Sequence, residues 1–163
     1  MLAKSSTRET TEAPKALVEE PQTLVIESRF GTLTINPNAT LMFPQGLLGF
    51  ADYRDFALAE LPNGKQPQFK ALQCLNDPSL AFLVAPLPSD SSAIDRIDVE
   101  EACRSLDIVA EEVAIVLIVT VRRDDEGAHA SVNLRAPILI DTNHRVARQY
   151  VLPNSKYEIR HKL

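Results

Sequence analysis

Val113-Ala114-Ile115-Val116-Leu117-Ile118-Val119-Thr120-Val121 is the strongest apolar run in the chain. Most of its side chains branch at Cβ, which crowds a helical turn but fits a pleated sheet. It is far short of the roughly 20 residues a membrane-spanning helix needs. Asp124-Asp125-Glu126-Gly127 closes it with a charged turn. The reading is a central strand buried on both faces.

Shorter strand signals surround it. Thr23 to Phe30 is rich in β-branched residues and stops at Gly31, and Thr32 to Ile35 alternates polar and apolar with period two. Asn36-Pro37-Asn38 is a turn, and Thr40 to Phe43 is stopped by Pro44. Phe56 to Glu60, Phe69 to Leu75 and Leu80 to Ala85 follow at short intervals, and Pro86 to Ser92 reads as a loop. Beyond the central run, strands are expected over His129 to Leu134, Pro137 to Ile140 and, as the last long one, Arg145 to Leu152. A basic, partly mobile tail follows from Lys156. Pro137 inside an apolar run marks an edge, bulge or kink. One helix is expected over Asp98 to Leu106: Asp98 can cap it, and Val99, Ala102, Cys103 and Leu106 share a face. Short strands at this spacing, with most of the prolines between them, predict a mainly β fold, a sandwich or a barrel with one or two short helices. Residues 1–21, polar and poor in large apolar side chains, read as a disordered extension preceding a domain over 22–163.

The 163 residues are 45% apolar and 24% charged with a net charge of −5, enough for one soluble domain with a real core. That acidity argues against direct nucleic-acid binding, which draws on phosphate neutralisation. No secretory signal opens the sequence, and Cys74 and Cys103 read as buried, reduced thiols, so the expected compartment is the cytoplasm. Charge is uneven. Eight acids and two arginines stand between Asp90 and Glu112, whereas residues 142–163 carry five basic groups and one acid. The acidic stretch reads as a solvated face or as a docking surface for a basic protein, which its field would steer.

Signatures of catalysis are absent. No glycine-rich phosphate loop, nucleophile elbow or metal-ligand spacing occurs, so no cofactor or metal is expected, and His129 and His144 read as surface strand residues. Three other segments are informative. Phe43-Pro44-Gln45-Gly46-Leu47-Leu48-Gly49-Phe50 reads as a compact corner whose aromatics fold onto the core. Leu72-Gln73 leads through an Asn76-Asp77-Pro78 turn into Leu80-Ala81-Phe82, and Asn133-Leu134-Arg135-Ala136-Pro137-Ile138 carries the awkward proline.

Together with Phe30-Gly31 before them, and Gln149, Val151-Leu152, Tyr157 and Arg160 after them, these segments resemble the flagellar assembly factor FliW family over about Ile26 to His161. Asp141 departs from the family's usual Asn. The resemblance implies a non-enzymatic regulator that binds the carbon storage regulator CsrA, a dimeric RNA-binding repressor, as an allosteric antagonist. It also implies binding of unassembled flagellin, which competes with CsrA. The family fold it implies is a small, mostly antiparallel β barrel. No membrane contact is expected, and monomer is the default state. The acidic residues Asp95, Asp98, Glu100 and Glu101 are the candidate CsrA contacts, whereas the Phe43 to Phe50 loop reads as structural. Other readings are a flagellin chaperone without CsrA antagonism, an adaptor for another protein, or a small hydrolase or isomerase.

Overall fold

The apolar run becomes β7, Val113–Asp124, and the sheet closes on it. Its first half is bonded along both edges. Ile115 to Ile118 pair with Leu87 to Val84 of β6 (Ala81–Leu87), and Val113 to Val116 pair with Asp141 to Ile138 of β9 (Ile138–Asp141). From β6 the ring continues through β5 (Lys70–Cys74), β4 (Asp55–Glu60), β3 (Thr40–Met42) and β10 (Val146–Gln149) back to β9. Every neighbour in the ring is antiparallel except β3 and β10, which run parallel at Met42 and Val146. The expected mainly β, mostly antiparallel fold is therefore what forms, with a strand ring in which the β6 and β9 pairings of β7 overlap at Ile115 and Val116. This computed structural model describes residue 14 and residues 22–163. The expected disordered extension over 1–21 lies almost wholly outside the described residues.

Three buried clusters hold the fold. One takes alternate residues from every ring strand, among them Leu41, Phe56, Leu72, Val84, Val116, Ile138 and Ala147, and so fills the interior. A second lies under the hairpin of β1 (Leu24–Ser28) and β2 (Gly31–Ile35), where Ile26, Leu33 and Ile35 cover Ala57, Ala59 and Ala71 on the outer face of β4 and β5. The third lies under α1 (Arg96–Leu106), where Ala102 and Cys103 meet Leu117, Val119 and Leu139. Cys74 and Cys103 are both buried and free.

Several boundaries differ from the sequence reading. The helix begins at Arg96 and its N-cap position is Asp95, so Asp98 lies in the first turn rather than capping it. It stops at Asp107, whose left-handed backbone (φ 57°) lets the Ile108 N–H reach the Cys103 carbonyl, a stop with no glycine to announce it. Pro86 belongs to β6, beyond that strand's last partner in β5, where its missing N–H breaks no bond to β5. β7 is buried on both faces only around Val116 and Leu117. Past Val119 it forms an exposed arm with β8 (Gly127–Val132). β10 is four residues rather than the long strand expected, and His144 sits in the turn before it, not in a strand. The tail is tied in: β11 (His161–Lys162) pairs with Val132 and Ser131, and the Leu163 N–H reaches the Ala130 carbonyl.

The Phe43 to Phe50 corner plugs the ring at the end where β4 starts. Phe43 is fully buried, edge-on to Phe56 at 5.0 Å, and Phe50 is edge-on to Phe82 at 5.1 Å. Gly46 makes this corner possible. Its φ is +63°, and a Cβ there would stand 2.4 Å from the Phe50 carbonyl oxygen. Gly49 has φ +83° with open space around it. Gly49→Ala therefore meets only the left-handed backbone penalty, about 1–2 kcal/mol. Gly46→Ala adds a backbone collision, typically about 1–3 kcal/mol more. Urea unfolding of the two variants should rank Gly46→Ala as clearly the more damaging; equal losses would contradict this account of the corner.

Candidate functional site

The residues that carry the family resemblance assemble turns. Gln73 is fully buried on β5, and its amide nitrogen lies 2.9–3.3 Å from four carbonyl oxygens, those of Cys74, Asp77, Pro78 and Leu80. One side-chain amide thus gathers the whole turn between β5 and β6, while its own Oε1 is buried without a partner among the described residues. Asp77 Oδ1 accepts from the Ser79 N–H and hydroxyl, and Pro78 sits exposed between them. Asn133 Oδ1 accepts the N–H groups of Arg135 and Ala136, turning the chain into Pro137, which is buried just before β9 rather than within it. Pro44 is half-buried at the entry to the corner.

A residue whose role was not read from the sequence joins two of these turns. Gln149 Oε1 accepts the Leu48 N–H at 2.9 Å, and its Nε2 donates to the Ala136 carbonyl at 3.1 Å. The first contact links residues 101 apart. No local pattern could announce it.

The four acidic candidates lie together at α1 but in different situations. Tyr157, only 3% exposed, accepts the Asp95 N–H at 3.0 Å through its hydroxyl and donates that hydroxyl's proton to the Asp98 carboxylate. Burial pushes the phenol above its ordinary value, and the bond to Asp98 adds to that. Lys156 pairs with the Asp95 carboxylate. Glu100 is half-buried and bonded to Arg96 one turn back at 2.7 Å. Glu101 is exposed, and its carboxylate makes no bond or ion pair among the described residues. Asp98 therefore also serves the fold, the Asp95 carboxylate meets only the exposed Lys156, and Glu101 is free. Nearby, burial raises the Cys103 thiol, with Glu100 and Glu111 adding to the effect.

Beside this face, a groove of about 690 Å³ opens where β6 ends and β7 begins, at the opposite end of β4 from the aromatic plug. Its walls are apolar: Leu87 of β6, Ile94 and Val99 on the helix side, and Val113 and Ile115 of β7. Charge is confined to Lys70, Arg96, Glu100 and Glu111. Glu100 thus belongs both to the acidic face and to the groove. Groups of three or more potential metal ligands are absent among the described residues, and no helix there is long and apolar enough to cross a membrane.

The class so defined is a small, mainly antiparallel β protein in which one helix is laid against a closed strand ring. Comparison with known proteins makes the assignment specific. The family model described as FliW protein matches residues 24–163. The flagellar assembly factor FliW of Oceanobacillus iheyensis is 37% identical over 136 residues, covering 81% of this chain and 88% of the relative. That of Geotalea uraniireducens is 34% identical over 137 residues, covering 84% and 82%. A crystal structure of the flagellar assembly factor FliW superposes with a TM-score of 0.64 at 27% identity, covering 86% of this chain and 96% of that one. The chain belongs to the FliW family.

The Asp141 carboxylate is used in full by its own turn. Its Oδ1 accepts the N–H groups of Asn143 and His144, and its Oδ2 meets His144 Nδ1 at 2.7 Å. An asparagine could accept the two N–H groups but would offer no second oxygen to the imidazole. Hydrogen bonding to Asp141 raises the His144 value above 6.5, and the same bond lowers Asp141 below 3.8. The stabilisation from His144 is complete below 6.5 and fades as pH rises through its folded value, while that from Asp141 fades as pH falls below 3.8. An NMR titration should place the His144 midpoint above 6.5, with Asp141→Asn returning it toward 6.5; a parent midpoint at or below 6.5 would refute the pairing. Gln73→Glu should be far more disruptive, because it aims a buried carboxylate at four carbonyl oxygens. A loss of about 3–5 kcal/mol is expected in denaturant unfolding, and a near-neutral result would refute the bonding scheme.

Proposed function

We propose that this chain is a cytoplasmic, non-enzymatic regulator that binds a CsrA-type RNA-binding repressor and unassembled flagellin, and so controls flagellin translation. The functional unit in this reading is 22–163, acting as a monomer, with 1–21 outside it. The observation that carries it is the two-sidedness of α1. Its exposed carboxylates suit a partner that is basic because it binds RNA. Its Val99 side borders an apolar groove of the kind that receives an amphipathic helix. In this picture CsrA takes the carboxylate face around Asp95, Asp98, Glu100 and Glu101, without occupying its own RNA site. The flagellin terminal segments, which are amphipathic, take the groove. A flagellin chaperone that ignores CsrA is the other reading, and the free Glu101 beside Glu100 favours the first.

Titration calorimetry against CsrA of the same organism, with and without flagellin, separates the two. Micromolar or tighter binding that flagellin weakens is expected. Replacing Glu100 and Glu101 by Lys should weaken CsrA binding about tenfold or more at low salt and flatten its salt dependence. Unchanged affinity and salt slope would remove this face from the account, and binding of flagellin alone would leave the chaperone reading.

A further inference from the structure

We infer that Lys156 is an exchangeable internal occupant of the α1 carboxylate face, so that the strap over residues 153–160 sets how tightly a basic partner can dock there. This rests on the reading of α1 as the docking face. The strap is fastened without Lys156. Arg135 donates from Nε to the Tyr157 carbonyl at 3.0 Å and from Nη2 to the Ser155 carbonyl at 2.9 Å. The Leu134 N–H reaches the Glu158 carbonyl at 3.0 Å, and the Tyr157 ring is packed in the core beneath α1.

Lys156 stands apart from these anchors. Its side chain is 47% exposed and the Asp95 side chain 53% exposed, so their ion pair lies in solvent. Its ammonium also lies 5.1 Å from the centre of the Tyr157 ring. The lysine therefore presents to Asp95 the group that a basic partner would bring, from a backbone already held in place. A partner lysine or arginine that takes Oδ2 must displace it, and one that approaches Oδ1 meets its charge. An exposed pair is weak enough to be exchanged yet strong enough to lower partner affinity severalfold. Tyr157 is the opposite case: its hydroxyl is buried against the helix start and cannot be displaced without dismantling the strap.

The test uses the full chain, Lys156→Met and the double variant Lys156→Met/Asp95→Asn. Each is titrated by calorimetry with CsrA of the same organism and, separately, with a hexa-arginine peptide followed by amide shifts at residues 95–101. Lys156→Met should bind both probes about two- to fivefold more tightly than the parent chain. Its melting temperature should stay within about 2 °C, since a surface pair adds little stability. The double variant should lose the gain. Unchanged or weaker binding of Lys156→Met, or a peptide that moves no amide at 95–101, would overturn the inference. If CsrA fails to bind the parent chain while the peptide behaves as expected, the functional reading fails and the exchangeable contact stands.

Discussion

The hydrogen bonding of β7 along both of its edges is the constraint on which the rest depends. Because the stretch from Val113 to Ile118 meets β6 on one side and β9 on the other, the sheet becomes a ring with an inside. The inside must be filled, which is the role of Phe43, Phe56, Leu72 and their neighbours. The outside of the same strand supports the helix, through Leu117 and Val119. Burial on both sides around Val116 and Leu117 accounts for the apolar centre of the run, where alternation is lost. Past Val119 the strand is released to solvent, and Arg122, Arg123 and Asp124 appear.

The two ends of the ring have different fates. One is sealed by an aromatic corner that bends at Gly46 and is tied by Gln149 to the turn before Pro137. The other stays open as an apolar groove with α1 along its side. The family motif residues cluster at the sealed end or build turns. The candidate contacts lie at the open end, on a helix where each carboxylate has a separate balance of structural and free character. The ring thus has one plugged end and one open, charged end.

Much of the fold was legible. A β-branched run, short alternating segments and prolines between them carry period and punctuation that survive in any context. The corner was legible too, since paired glycines between phenylalanines need positive φ and a core to lie on. What escaped was set by long-range contacts. Gln149 looks like an ordinary strand glutamine until Leu48 is brought beside it. Asp98 looks like a cap because it opens an acidic turn ahead of an apolar stripe, but the helix starts at Arg96 and the Asp98 carboxylate accepts instead from Tyr157, 59 residues away. The tail looks loose because its charges hide a two-residue pairing with β8. The groove has no sequence signature, being formed by the ends of strands far apart in the chain.

Hydrogen exchange of this chain with and without bound CsrA is the most direct test. New protection is predicted over residues 94–101 and at the adjoining mouth of β6 and β7, with the Phe43 to Phe50 corner unchanged. Protection centred on that corner, with α1 unaffected, would contradict a docking face at the open end of the ring.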